Sequence, residues 1–379
     1  MIGTPSEDAK SADANATGNL ESSWGFEIEL TVCPYCDWNY LLQKGSLPQQ
    51  CPHCHRESLI SIQDSIEELP YLGSPELALS FGLSGDVLAR GIIDFSRGIP
   101  YPPLELVPDV LVSRLKQIYI PVWLVDAEVQ SNWKAEAGFN YQVISHQDQY
   151  SEHRGGWASH EVTEGRIRWE PRAGCLNRSY ENISAPALED AQRLNRLLGV
   201  YDLSQAHPYL PEVADQTFVR LPTRVIEDAW TDALPAFQSA ASRDCQEAAG
   251  ADHLKDFEWK PEFAKQHWSL LLQPVYSTFY INDEGGIQPV LINGQSGKVS
   301  GTRRSSVKRA QRTAWIILFA AIITFAISLI VTTLGIVAPL LLPIGGIGLA
   351  ISVFIGAGAV LPLTVAWQFN RSQRSDPEN

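Results

Sequence analysis

The longest apolar stretch of the chain covers residues 314–367. It reads AWIILFAAIITFAISLIVTTL before Gly335 and continues as IVAPLLLPIGGIGLAISVFIGAGAVLPLTVAW, without a charged side chain. A helix needs about 20 apolar residues to cross the hydrocarbon core of a bilayer, where helices satisfy their own backbone hydrogen bonds. The stretch therefore predicts a hairpin of two transmembrane helices, 314–334 and 340–367. A hairpin buried in a large soluble core is the alternative, and these lengths favour the membrane.

Basic residues flank this stretch on both sides, and the turn between the two spans carries no charge. Loops rich in Lys and Arg stay on the cytoplasmic side of a membrane. Both termini are therefore predicted to lie in the cytoplasm, with two spans in the inner (plasma) membrane, a basic juxtamembrane collar at 302–313 and a cytoplasmic tail at 368–379. The flanking basic residues are Arg303, Arg304, Lys308, Arg309, Arg312, Arg371 and Arg374.

Small residues recur every four positions in the second predicted span, at Gly348, Ser352 and Gly356. This spacing places them on one helix face, where they allow another helix backbone to approach closely. The neighbour is either the first span or a second copy of the chain, which would make a homo-oligomer. Glycines that are merely tolerated in lipid are the alternative.

Between residues 71 and 301, short segments of period two alternate with segments of helical period, which predicts a mixed α+β soluble domain. Residues 119–145 predict two strands broken near Ala137 and Gly138, and 161–182 predict a hairpin that turns at 171–174. A three-stranded meander is expected at 269–281, 287–292 and 298–300. Helices are predicted at 108–118, 185–199 and 225–251.

Two CxxC motifs stand near the N-terminus: Cys33-Pro-Tyr-Cys36 and Cys51-Pro-His-Cys54, with 14 residues between them. Each motif turns tightly enough to aim two thiolates at one tetrahedral ion, which predicts a zinc ribbon at 29–60. Four protein ligands leave no position for water, so a structural rather than a catalytic Zn²⁺ is expected. Iron, which suits the same tetrahedral set of thiolates, and thiols that bind no common metal are the alternatives.

Other residues near this motif and elsewhere are given plainer interpretations. His53 and His55 are expected to be solvent-facing polar residues, because four thiols already complete the ligand set. Cys175 and Cys245 stand alone in the sequence. A disulfide between these two is left open, although cytoplasmic thiols usually stay reduced.

Charge is distributed unevenly along the 379 residues, whose formal net charge is -14. Before Arg303 there are 22 basic and 41 acidic residues, against 7 basic and 2 acidic from Arg303 onward. An acidic soluble part repels polyphosphates, which argues against nucleic acid as the main partner. Residues 1–28 lack an apolar core and a positive start, so a disordered tail is expected there instead of a signal peptide.

Several segments together resemble a group of bacterial zinc-ribbon membrane proteins. They are CPYC and CPHC, YIPVWLVDAEV (119–129), RWEPRAG (168–174), DAW (228–230), PVYSTFYINDEG (274–285) and VLINGQSGKVSG (290–301), followed by two apolar spans. The ribbons of that group are sometimes named after transcription factors or the primosomal helicase. The resemblance implies a membrane scaffold, and some relatives work beside phage-shock protein A and band-7 (flotillin-like) proteins in envelope stress.

No catalytic constellation is recognised in the sequence, and no catalytic residue comes with the resemblance. The expected function is a non-enzymatic scaffold or adaptor that recruits a cytoplasmic protein partner to the membrane. A membrane-tethered nucleic-acid binder acting through the ribbon is the alternative function. An unrecognised hydrolase that uses the region 161–172 is a third.

Overall fold

The computed structural model describes residues 23–62, 71–151, 156–214, 217–336 and 338–374. The chain divides into two compact units. One, which we call the arm unit, comprises Val122–Leu188 and Pro222–Leu271. The other, which we call the ribbon unit, contains the remaining described residues, including both cysteine motifs and the C-terminal helices. The mixed α+β class predicted from the sequence is confirmed.

Eleven strands occur in the described part of the chain. They are β1 (Ile28–Val32), β2 (Asn39–Gln43), β3 (Ile60–Ser61), β4 (Leu77–Ala78), β5 (Lys116–Ser151), β6 (Gly156–Pro186), β7 (His207–Pro208), β8 (Phe218–Arg220), β9 (His253–Ile281), β10 (Ile287–Asn293) and β11 (Val299–Gly301). In the ribbon unit their order is β11-β10-β9-β5-β8-β2-β1-β3. The contact between β5 and β8 is parallel.

The helices are α1 (Gly85–Arg97), α2 (Pro108–Ser113), α3 (Ala191–Leu198), α4 (Pro211–Ala214), α5 (Ile226–Ala248), α6 (Val307–Leu334), α7 (Leu342–Gly358) and α8 (Leu361–Arg374). The helix predicted at 225–251 is confirmed as α5. Helix α2 ends five residues before its predicted end, because the chain enters β5 at Lys116. Helix α3 ends at Leu198 and is followed by Gly199, whose φ of +81° favours glycine.

Two buried clusters of the described residues belong to the core of the ribbon unit. In the first, Trp24 packs with Leu41, Tyr119, Val219 and Leu272, and the Trp24 indole N–H donates to the Leu72 carbonyl at 3.0 Å. Trp24 is 1% exposed, so it belongs to the fold and not to the disordered tail predicted at 1–28. Residues 1–22 of that predicted tail lie outside the described residues. The second cluster places helices α1 and α2 against β9 and β10.

Two strand predictions for the arm unit are wrong. Strand β5 runs without a break past Ala137, and β6 runs without a turn through 171–174. The two glycines that suggested breaks lie directly opposite aromatic residues, in the pairs Gly138↔Trp169 and Trp133↔Gly174. A Cβ at Gly138 would lie 2.8 Å from the Trp169 ring, so this glycine makes room for a cross-strand ring.

Pro171 is also compatible with an unbroken β6. It pairs with Glu136 of β5, and β5 is the only described strand on which β6 pairs. A proline lacks an N–H and is tolerated in an edge strand, where that position faces away from the ladder. Helix α5 covers this sheet through Ala229, Trp230 and Phe237, which are buried.

Two C-terminal helical segments, Val307–Leu334 and Pro339–Gln373, are long and apolar enough to cross a membrane. The first begins inside the predicted basic collar, seven residues before Ala314. The second is divided into α7 and α8, and Pro343 and Pro362 stand in the opening turns of these helices. These prolines therefore lie in the first turn of a helix, where the missing N–H leaves no intrahelical hydrogen bond unmade.

The predicted stripe of small residues faces α6 of the same chain. A Cβ at Gly348 would lie 2.3 Å from the Ser328 hydroxyl oxygen, and one at Gly356 would lie 3.7 Å from the Ala321 Cβ. Ser352, between them, is 3% exposed. The stripe therefore lets α7 approach α6 closely, while its use by a second copy of the chain stays a prediction.

Candidate metal centre

Cys33, Cys36, Cys51 and Cys54 come together as the sequence predicts. Their sulfur atoms all lie within 4.8 Å of one another, close enough to hold a metal ion. The Sγ atoms of Cys33 and Cys54 are 3.6 Å apart, and those of Cys36 and Cys51 are 3.7 Å apart. A tetrahedron with metal–sulfur bonds of about 2.3 Å has edges of about 3.8 Å. The two measured separations therefore fit opposite edges of a four-thiolate site.

Both cysteine motifs fold into the same turn. The N–H of Asp37 donates to the Cys33 carbonyl at 2.9 Å, and the N–H of His55 donates to the Cys51 carbonyl at 3.1 Å. Asp37 and His55 each follow the second cysteine of their motif, with φ of 55° and 54°. Two equivalent turns thus present their sulfur pairs to a common centre, and strands β1 and β2 join the first turn to the rest of the ribbon.

Hydrogen bonds around the sulfur atoms favour the thiolate form at Cys51. The Cys36 thiol donates to Cys51, and with the N–H groups of Cys54 and His53 it lowers the pKa of Cys51 to about 5. The same bond raises the pKa of Cys36, since it stabilises the protonated thiol. Burial raises the pKa of Cys33. Ligands to a metal must be deprotonated, so a cation at this centre would displace these protons.

The prediction of solvent-facing histidines is wrong for His55, and His53 is only partly exposed. His55 is fully buried, and its Nε2 lies 2.9 Å from the Ser277 hydroxyl of β9. The Ser277 hydroxyl donates its one proton to the Pro52 carbonyl, so His55 Nε2 is the donor in this contact. Burial lowers the pKa of His55 to about 3 and that of His53 to about 4, and both rings are neutral.

Three side chains, those of His53, Trp38 and Arg220, stack beside the four-cysteine cluster. The His53 ring lies parallel to the Trp38 ring at 3.7 Å between centroids, and the Arg220 guanidinium carbon is 3.5 Å from the Trp38 centroid. Arg220 is buried and forms an ion pair with Asp190 at 2.9 Å. Sequence analysis missed Arg220 and Asp190, because no motif connects them to the cysteines. Trp38 could have been recognised from the sequence only because it lies two residues after Cys36.

A cavity of about 270 Å³ lies beside this stack. Its lining includes Cys36, Trp38 and His53 of the ribbon, together with Asp190 and Arg193 at the start of α3. The Nδ1 atom of His53 is buried and has no described hydrogen-bond partner. Cys36, one of the four candidate ligands, is half-buried and borders this cavity, whose lining is both polar and apolar.

The two remaining cysteines are both free thiols in the arm unit. Cys175 is exposed and donates to the Asn132 side-chain carbonyl at 3.1 Å, whereas Cys245 is buried. Both line one cavity of about 520 Å³. Burial raises the pKa of Cys245 to about 11, so this thiol stays protonated at neutral pH.

The basic residues of the ribbon do not form a cationic surface in the described region. Lys44 forms an ion pair with Glu27 at 3.0 Å, and the Arg56 guanidinium lies over the Tyr35 ring at 4.5 Å from its centroid. Affinity for nucleic acid depends on several cations that neutralise phosphates. These contacts do not favour the alternative function predicted for the ribbon.

Comparisons of the chain with protein-family models, with curated proteins and with solved structures found no match. The resemblance to bacterial zinc-ribbon membrane proteins therefore stays a prediction from the sequence.

Proposed function

We propose that this chain is a membrane-anchored zinc-ribbon adaptor that recruits a cytoplasmic protein partner to the inner membrane. The zinc assignment is supported by the four-thiol set and its tetrahedral spacing. Zn²⁺ has no redox chemistry and is held by four protein ligands in structural sites. Its role in this proposal is to fix the two cysteine turns, and thereby to stabilise β1 and β2.

The membrane assignment is supported by helix α6 and the segment that returns from it. Many large apolar side chains of these helices are exposed, among them Ile316, Phe319 and Phe354, which are 70%, 65% and 79% exposed. A soluble core helix would bury such residues, whereas a lipid-facing helix leaves them on its surface. The basic flanks favour an orientation with both termini in the cytoplasm.

The proposed recruitment of a partner is supported by an exposed apolar face on the arm unit. The side chains of Ile144, Ile167 and Trp169, which we call the arm patch, are 64%, 41% and 37% exposed. The pairs Ile144↔Thr163, Asn140↔Ile167 and Gly138↔Trp169 are separated by even steps, so the three residues share one face of the β5–β6 hairpin. Apolar residues grouped on an exposed face are typical of protein-binding surfaces.

The hairpin that carries this patch is thin near its tip. Strand β9 begins at His253, and the preceding Asp252 bonds to Gly138 and to the N–H of Asn140. Past Asn140, β5 therefore pairs with β6 alone among the described strands. A two-stranded hairpin is marginally stable in water, and a bound partner would supply the apolar contacts that it lacks.

The proposal is tested by crosslinking the full-length protein in its native membranes and identifying its neighbours by mass spectrometry. A double variant, Ile167→Glu with Trp169→Glu, should lose the partner that the wild type crosslinks. Tyr141→Glu is the matched control, because Tyr141 is 45% exposed on the opposite face of the same hairpin. Equal recovery of the partner by the double variant, or no protein partner with the wild type, would contradict the adaptor function.

A further inference from the structure

An exposed apolar loop lies beside the first turn of α6. Residues 100–107, which we call the base loop, read PYPPLELV and connect α1 to α2. Leu104 is 68% exposed and Val107 is 40% exposed, whereas Leu106 between them is 3% exposed. The loop thus turns one apolar side chain into the core of the ribbon unit and two outward.

Hydrogen bonds fix the direction in which the base loop runs. The Ser305 hydroxyl donates to the Pro100 carbonyl, and the Ser306 N–H donates to the Tyr101 carbonyl at 2.7 Å. Further along, Arg309 donates from Nη1 to the Pro102 carbonyl at 2.6 Å. Successive loop residues therefore meet successive residues of the segment that becomes α6. The loop advances with this helix, toward its apolar part.

Leu104 lies where the base loop has run farthest along α6. The Leu106 N–H donates back to the Pro103 carbonyl at 3.1 Å, so the chain reverses at Leu104. A helix rises 1.5 Å per residue, so Trp315 lies about 9 Å beyond Arg309 along α6. The polar headgroup region of a bilayer is about 5–8 Å thick on each side. A loop that Arg309 binds through its Pro102 carbonyl therefore lies close to the headgroups when Trp315 is at the interface.

The basic residues on α6 beside the base loop suit an anionic surface. Glu105, the one acidic residue of the loop, is turned toward Arg114 at 2.8 Å and accepts from the Ile281 N–H at 3.0 Å. Its charge is therefore compensated inside the ribbon unit. Lys308 and Arg312 on α6 are exposed. Basic residues near a membrane surface are attracted to anionic lipid headgroups.

The base of α6 is also held firmly to the sheet. Ser306 caps the helix by accepting from the Arg309 N–H at 3.0 Å, and Asp283 accepts from the Ser306 hydroxyl at 2.9 Å and from the Lys308 N–H at 2.8 Å. Asn370 of α8 bonds to both backbone groups of Ser305. The helix hairpin and the base loop are therefore parts of one fixed structure, not joined by a flexible tether.

We propose that the base loop is a second membrane contact, in which Leu104 and Val107 insert into the headgroup region of the anionic leaflet next to α6. This inference rests on the proposed crossing of the membrane by α6. Apolar side chains that enter the interface beside basic residues bind membranes by burial and by charge together. Two contacts, one crossing and one interfacial, would fix the orientation of the sheet relative to the bilayer.

The test uses the full-length protein in bilayers of phosphatidylethanolamine and phosphatidylglycerol. The photoreactive amino acid p-benzoylphenylalanine replaces Leu104, and lipid adducts are counted by mass spectrometry after irradiation. Val200 is the matched control, because it is 91% exposed in the same unit. Asp202, two residues after Val200, bonds to Gln295 in the turn that follows β10. Asp283, which contacts the base of α6, lies in the turn before β10. The length of this strand therefore separates Val200 from the base of α6 by roughly 20 Å.

A third position separates this inference from the proposed function. Ile316 on α6 should give a lipid adduct if the helix crosses the membrane, and Leu104 should then give several-fold more adduct than Val200. Adduct at Ile316 with equal, low yields at Leu104 and Val200 would overturn the base-loop contact and leave the membrane anchor intact. No adduct at Ile316 would overturn the membrane anchor and, with it, the contact of the base loop.

Discussion

The roles of His53 and His55 near the four-cysteine cluster follow from the individual contacts of their side chains. Both flank Cys54, and the four cysteines form a candidate ligand set without them. In the structure they are support residues: His55 binds Ser277, 222 residues away in the sequence, and His53 stacks on Trp38. Groups that hold a metal site in place tune its geometry as well as its stability. A local sequence motif therefore identifies ligands more readily than it identifies their supports.

We expect Cys36→Ser to remove most of the zinc that we propose the four cysteines bind. Four-thiolate binding of Zn²⁺ stabilises small zinc domains by about 10–16 kcal/mol, so the loss of one ligand should weaken binding by about 100-fold or more. Cys175→Ser is the control, because Cys175 is exposed in the arm unit, outside the cluster. Metal content is measured by elemental analysis of purified protein. A full equivalent of zinc in the Cys36 variant would refute the assignment of ligands.

At the scale of single elements, glycines have two different roles. Gly138 and Gly174 stand opposite Trp169 and Trp133, and they leave the strands unbroken. In α7, glycines permit close packing against α6, as the four-residue spacing predicts. The helical role can be predicted because the period of the helix places the residues on one face. The strand role cannot, because it depends on the cross-strand partner, which the register alone decides.

We expect Gly348→Leu to destabilise the pair formed by α6 and α7 by about 1–3 kcal/mol, the usual cost of overpacking. The new side chain would start 2.3 Å from the Ser328 hydroxyl, so the helices must separate. Gly346→Leu is the matched control in the same helix, since its Cβ would meet no described atom within 4 Å. Unfolding in detergent, followed by circular dichroism, measures the difference. Equal stability of the two variants would contradict the observed packing.

At the scale of the molecule, the ribbon is part of the sheet and not a separate domain. Strand β2 pairs with β8 through Tyr40↔Arg220 and Leu41↔Val219, and β8 pairs with β5. The four-cysteine cluster and the base of α6 thus belong to one compact unit. A cation bound by the four cysteines would therefore stabilise more than the short segment that supplies them.

Removal of zinc by a strong chelator should raise backbone hydrogen exchange in β1, β2 and β8 together. Exchange in α5 should change little, because this helix lies in the arm unit. The reason is that strands of one cooperative unit open together when a stabilising ion is lost. Hydrogen-exchange mass spectrometry of the full chain makes the measurement. Increased exchange confined to β1 and β2 would show that the ribbon opens independently of the sheet.

The four-cysteine cluster, the helical hairpin and the α+β class can be predicted from the sequence, because each depends on local spacing or on a long apolar run. Where these parts meet is visible only in the folded chain. Arg220 reaches Trp38 through the pairing of β8 with β2, and the base loop reaches α6 through a few backbone carbonyls. Such contacts join residues far apart in the chain, and neither periodicity nor motif spacing carries information about them. Their partners are fixed only when the strands find their register and the core closes.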